Sequence, residues 1–227
     1  SALRCEIHAG GRGGSMKIAV LGAGTMGHGI AQITAMVEHD VVLRDVAESY
    51  VNDGLAAIRE NLEKGVEYDK VDPETVEPTL DRIQGTTSLS EALADVDLVI
   101  EAVPEQLELK HEVLRDVEAE IPADTVIASN TSSLSLTAIA SELERPERAI
   151  GTHFFNPPHL MELVEIVLAE QTNDETREFT KSFVEDIDRT PVIVEDAPGF
   201  ASSRLGVALG VEAMRMVQGG VASPGDI

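Results

Sequence analysis

Lys17-Ile18-Ala19-Val20-Leu21, running straight into Gly22-Ala23-Gly24-Thr25-Met26-Gly27, is the stretch on which the reading of this 227-residue chain turns. A short apolar run, three glycines spaced GxGxxG, and then Met26, Ile30, Ile33 and Val37 on one helical face describe a strand, a tight turn and an amphipathic helix. Each glycine has a physical reason. The first permits the turn, the second lets backbone approach a pyrophosphate, and the third lets helix and strand close together. The helix N-terminus then offers amide donors and partial positive charge to phosphate. GxGxxG alone is weak, but Asp45 ends the second apolar run 18 residues past Gly27, where a carboxylate can accept from adenosine ribose hydroxyls. Gly22, Gly24, Thr25, Met26, Gly27 and Asp45 are therefore candidate cofactor-binding residues. The carboxylate favours NAD because it would repel a 2′-phosphate, while Arg44 leaves NADP open if its guanidinium turns inward.

Working outward, apolar runs alternate with segments of helical period, the pattern of an α/β fold with a Rossmann-type, doubly wound, mainly parallel sheet. Strands are expected at residues 17–21, 41–45, 97–102, 125–129, 149–153, 162–167 and 191–195. A second helix carries Val51, Leu55, Ile58 and Leu62 on one face, and a third spans about residues 105–120. The acidic stretch 67–81, with Asp72 and Pro73 placed to cap a short helix, interrupts the alternation and reads as an insertion. After Asp196-Ala197-Pro198-Gly199 the pattern becomes a helix over about 200–218. Leu205, Val207, Leu209, Val211, Met214, Met216 and Val217 leave it apolar on most sides, as suits a helix buried among others or at a subunit interface. Ser223, Pro224 and Asp226 are placed as N-cap, first and third positions of another helix, in which the chain stops. The expected organisation is a flexible leader at 1–15, a dinucleotide-binding domain at 16–196, and the incomplete start of an all-helical domain at 197–227.

Composition narrows the function. Forty-one acids against 17 bases give a net charge of −24, which argues against nucleic acid as a partner. If all the acids lie outside, a chain of this mass carries about one per 240 Å² of surface. That density, with few lysines, reads as an adaptation to a salt-rich cytoplasm or as an ordinary acidic enzyme. No run approaches the roughly 18 apolar residues of a membrane span and no secretion signal precedes the fold, so the expectation is a soluble, cytoplasmic protein. Cys5 is the only cysteine, which leaves no intrachain disulfide, and no Cys/His/carboxylate cluster has metal-ligand spacing.

Polar residues gather where such a sheet holds its ligand, after the strands: Glu101-Ala102-Val103-Pro104-Glu105, Ser129-Asn130-Thr131-Ser132-Ser133, His153-Phe154-Phe155-Asn156-Pro157 and Glu162-Leu163-Val164-Glu165. With the glycine motif before them and Pro198-Gly199-Phe200 after, the chain resembles the 3-hydroxyacyl-CoA dehydrogenases from about Met16 to Ile227. The resemblance implies NAD-dependent oxidation of an (S)-3-hydroxyacyl-CoA to its 3-oxoacyl-CoA, in fatty-acid β-oxidation or butanoate metabolism. It makes His153 the base, Glu165 the carboxylate that orients it, and Ser132 a hydrogen-bond partner of the substrate oxygen. Histidine suits the task because imidazole titrates near neutral pH and a carboxylate on its second nitrogen fixes the tautomer. By the same resemblance Asn130, Asn156, Glu105 and Lys110 line the nicotinamide and substrate, residues 61–81 help hold coenzyme A, and the full-length form is a homodimer. Blander readings stand beside these: a histidine that merely ends a strand, Ser133 as a helix cap, and Lys110 with Glu105 as a solvated helix pair. Ser203 stands before Arg204 where the family carries an asparagine. Two rival functions remain, a related dehydrogenase of a small hydroxy acid without coenzyme A, and a catalytically silent NAD-binding fragment.

Overall fold

The computed structural model describes residues 14–227; Cys5 and most of the expected leader lie outside the described residues. Eight strands, β1 (Lys17–Leu21), β2 (Asp40–Arg44), β3 (Ile83–Thr86), β4 (Leu98–Glu101), β5 (Val126–Ser129), β6 (Ala149–Phe154), β7 (Leu163–Leu168) and β8 (Thr190–Glu195), form one sheet. Its order is β3-β2-β1-β4-β5-β6-β7-β8, and every neighbouring pair is parallel except β6 with β7. The helices are α1 (Thr25–Met36), α2 (Glu48–Glu67), α3 (Val76–Asp81), α4 (Leu89–Ala92), α5 (Leu107–Glu120), α6 (Leu136–Ala140), α7 (Asp174–Asp186) and α8 (Ser202–Gln218).

The central strands read as unbroken apolar runs because helices cover both faces of the sheet. Ile18 and Val20 enter one core with Ile30, Ile58 and Phe183 from α1, α2 and α7. Ala19 and Leu21 enter the other with Leu114, Val117 and Ile139 from α5 and α6. Strand order reverses between β1 and β4, which opens a crevice at their carboxyl ends beside the glycine loop.

Two expectations require correction. The stretch 67–81 is not an insertion into the alternation, because the end of α2, a 3₁₀ turn (Pro73–Thr75) and α3 complete the crossover from β2 to β3. The sequence reading passed over β3 since only Ile83 of its four residues is buried, so this edge strand has no apolar run. Asp72 does cap the 3₁₀ turn as expected, accepting from the Glu74 amide at 2.9 Å. β6 and β7 are joined only by residues 155–162, fewer than the dozen or so a parallel crossover needs, so the chain turns back on itself. That reversal makes β7 and β8 begin at the edge where β1, β4, β5 and β6 end.

α8 buries none of its residues within this chain, with Leu205 at 70%, Leu209 at 75% and Met214 at 71% exposure. Beyond it, residues 224–226 form a turn in which the Ser223 hydroxyl donates to Asp226 at 2.6 Å. No helix among the described residues is long and apolar enough to cross a membrane.

Candidate active site

At the glycine loop, local sterics explain two of the three glycines. Gly22 has φ +103°, and a Cβ there would sit 2.6 Å from the Ala102 carbonyl oxygen. A Cβ at Gly27 would collide with the Gly22 carbonyl. A Cβ at Gly24 would meet nothing of the chain within 4 Å, so its space is open for a ligand. The first turn of α1 has neither a side-chain cap nor an acid, which leaves its amides available to an anion. Thr25 is exposed there, and Met26 packs partly against the core. Asp45 follows β2 directly and is held at the loop, accepting from the Ala23 amide and the Val46 amide, both at 2.7 Å. Arg44 Nε donates to the Thr87 carbonyl at 3.3 Å, on the β3 side. An open glycine, free amides and a carboxylate at the end of β2 fit a dinucleotide.

The reading of Lys110 and Glu105 as a solvated pair is corrected by burial. Lys110 is only 1% exposed, and its Nζ lies 2.7 Å from Glu101 Oε1 and 3.3 Å from Glu105 Oε2. Glu101, fully buried, also accepts from the Ser129 hydroxyl at 2.6 Å and the Val103 amide at 2.7 Å. Sequence reasoning missed its role, because a glutamate at the end of an apolar strand looks like the place where water begins. Glu105 Oε1 accepts from the Thr131 hydroxyl and the Ser132 and Ser133 amides at 2.8–2.9 Å. Burial would raise its pKa, but these donors and Lys110 outweigh burial and hold it at about 2. Glu105 thereby anchors the loop carrying Ser132, whose hydroxyl is exposed and without a hydrogen-bond partner among the described residues. Ser133 is not a helix cap: it donates to Glu105 at 3.1 Å, and Ser135 caps α6.

Asn130 Oδ1 accepts from the Phe154 amide at 3.0 Å, which ties the Ser132 loop to the end of β6. Asn156 lies exposed in the loop that follows β6. His153 on β6 stands directly opposite Glu165 on β7 in the antiparallel register, and Nδ1 lies 2.8 Å from Glu165 Oε2. His153 is 6% exposed and Glu165 1%, with the rings of Phe155 and Phe200 packed 4.8 and 5.6 Å from the imidazole. Burial would raise the Glu165 pKa, but His153, Ser202 and the Ala201 amide together lower it, so the carboxylate is ionised. An ionised carboxylate only accepts, so Nδ1 carries a proton, and in the neutral ring the lone pair is on Nε2. The site can therefore take a proton from a hydroxyl presented to Nε2. Ser202, whose hydroxyl reaches Glu165, carried no recognisable signal in the sequence. Ser203 is exposed at the start of α8.

Comparison with known proteins gives the chain's family. The family model described as the 3-hydroxyacyl-CoA dehydrogenase NAD binding domain matches residues 17–197. A probable 3-hydroxybutyryl-CoA dehydrogenase of Deinococcus radiodurans is 40% identical over 92% of this chain and 74% of its own length. The fatty acid oxidation complex subunit alpha of Acinetobacter baylyi is 42% identical over 82% of this chain, which spans only 26% of that subunit. The crystal structure of the (S)-3-hydroxybutyryl-CoA dehydrogenase of Ralstonia eutropha superposes with a TM-score of 0.90 at 36% identity, over 94% of this chain and 75% of that one.

Proposed function

The chain belongs to the 3-hydroxyacyl-CoA dehydrogenase family, and on that premise we propose that it interconverts an (S)-3-hydroxyacyl-CoA and its 3-oxoacyl-CoA with NAD. The observation that carries the proposal is the buried His153–Glu165 pair at the sheet edge where the glycine loop also lies. When bound, NAD supplies the acceptor for the hydride that leaves C3 in oxidation. His153 Nε2 takes the C3 hydroxyl proton, and Glu165 holds the ring and stabilises the imidazolium that results. Ser132 donates to the same substrate oxygen from a loop pinned by Glu105. Asn130, Asn156 and Glu105 line the space for nicotinamide and substrate, and the buried Lys110 acts there through its ion pair with Glu105. Gly22, Gly24, Thr25, Met26, Gly27 and Asp45 hold the dinucleotide. Residues 61–81, from the end of α2 through α3, help hold the coenzyme A portion, and the role we assign is in fatty-acid oxidation or butanoate metabolism in the cytoplasm.

The test is oxidation of NADH by acetoacetyl-CoA, followed by absorbance, beside the free 3-oxo acid. Consumption with the thioester alone supports the proposal. Consumption with the free acid alone would transfer the function to a dehydrogenase of small hydroxy acids, and NADH binding without turnover of either would support the silent reading.

A further inference from the structure

Glu165 serves more than the histidine. Its Oε1 accepts from the amides of Ala201 and Ser202 at 3.0 and 2.8 Å, and its Oε2 accepts from the Ser202 hydroxyl at 2.8 Å. These are the opening residues of α8, which has no side-chain cap and no acid in its first turn. A carboxylate from β7 thus supplies, across 37 residues of sequence, the acceptor a capping side chain ordinarily provides. The chain is bent to permit this: Gly199 and Phe200 both lie in the left-handed region, at φ +75° and +47°. For a phenylalanine that conformation is unfavourable and persists only where its surroundings over-determine it. Here the ring is 5% exposed in the second core, 5.6 Å from the imidazole.

Oε2 therefore receives two donors, the His153 Nδ1–H and the Ser202 Oγ–H, both at 2.8 Å. An acceptor that shares its charge between two donors binds each less strongly than it would bind one alone. Two amides of the helix terminus are met by Oε1, and a third, that of Arg204, donates to the Gly199 carbonyl at 2.9 Å. The hydroxyl on Oε2 is additional, and it acts on the atom that the histidine uses.

We propose that Ser202 is a positioning residue of the His153–Glu165 pair: its hydroxyl shares Oε2 with the imidazole, sets the strength of the Nδ1–H···Oε2 bond, and couples that bond to the seating of α8. The proposal rests on His153 being the base. It gives α8 a part in the chemistry although none of its residues is placed at the substrate.

The experiment compares the 15N shift of His153 Nδ1 in the neutral ring, read through the carbon-bound ring protons, among wild type, Ser202→Ala and Ser202→Thr. His153→Gln assigns the signal by its loss. In Ser202→Ala the Nδ1 signal should move downfield, toward that of a more strongly donating N–H, because Oε2 then serves one donor. Ser202→Thr, which restores a hydroxyl, should return it to the wild-type position. Where oxidation of a 3-hydroxyacyl-CoA by NAD is measurable, the acid limb of kcat/KM in that direction should move to higher pH in the alanine variant and not in the threonine variant. A signal that stays in place or moves upfield in Ser202→Ala, or one that threonine does not restore, would overturn the role of Ser202 and leave the base assignment standing. Full turnover in His153→Gln would remove the base assignment instead.

Discussion

Three glutamates at one edge of the sheet do three different things, and their neighbours decide which. Glu101 neutralises a buried lysine, Glu105 gathers the amides of a loop, and Glu165 divides itself between an imidazole and a helix terminus. If His153 is the base, His153→Gln lowers kcat by about 10² to 10⁴ while NAD affinity persists, as loss of a general base does. Steady-state rates and cofactor titration check this, and undiminished turnover would count against it. Asp45→Ala should weaken NAD selectively, although loss of the Ala23 amide contact will also loosen the loop. Titration with both cofactors decides the matter, and a wild type that binds NADP more tightly would mean Arg44 governs the pocket. Glu105 carries a pH prediction. Its pKa, held at about 2 against an ordinary 4.5, is depressed in the folded state. Its contribution to stability is therefore complete above about pH 4.5 and is lost as the pH falls toward 2. Because the side chain is 35% exposed, solvent screening keeps the effect modest. Acid unfolding of Glu105→Gln should be less steep than that of wild type across this window, and equal steepness would exclude the anchor role.

Among the elements, α8 is the one whose surface does not match its setting. Leu205, Val207, Leu209 and Met214 are each at least 67% exposed, on a helix that buries nothing in its own chain. Covering one large aliphatic side chain is worth ~1.5–3 kcal/mol, so four such side chains approach the stability of a whole domain. We expect the 227-residue chain to self-associate through this helix or to leave it poorly ordered. In the first case light scattering should report a mass above that of one chain at micromolar concentration, and Leu205→Asp with Leu209→Asp should return it to one chain. A wild type that stays monomeric as concentration rises, with this helix ordered, would refute the assignment. The edge strand β3 shows the opposite mismatch, since it pairs fully with β2 while burying one side chain. Backbone hydrogen bonds and the packing of Val51 and Leu55 beside Gly85 hold it there instead.

The whole molecule is dominated by a net charge of −24. Exposed ion pairs such as Arg59 with Glu77 and Lys64 with Glu60 offset little of it, because pairs at the surface contribute at most about 1 kcal/mol each. Self-repulsion remains, and salt screens it: the screening length falls from roughly 10 Å at 0.1 M to about 3 Å at 1 M. The unfolding midpoint should therefore rise along a KCl series toward molar concentration. A flat or falling midpoint would make this an acidic enzyme with no adaptation to salt.

Local pattern was enough for much of this protein. The glycine spacing, the period of α1 and α2, the apolar runs of seven strands and the Asp72 cap are readable because each is decided by atoms a few residues apart. His153, Glu165 and Ser132 became candidates only together, through the ordered polar segments after the strands that resemble one family, and of these the structure brings His153 and Glu165 into contact. What the sequence could not show is which distant groups meet. The reversal that sets His153 opposite Glu165 follows from a connection too short to cross the sheet. The burial of Lys110 follows from Glu101 lying beneath it, and the docking of α8 follows from a carboxylate 37 residues earlier in the chain. Periodicity records which side of an element faces the core and carries nothing about its partner. A charge reads as solvated until the fold places its counter-charge, so these contacts were settled only when the sheet closed around them.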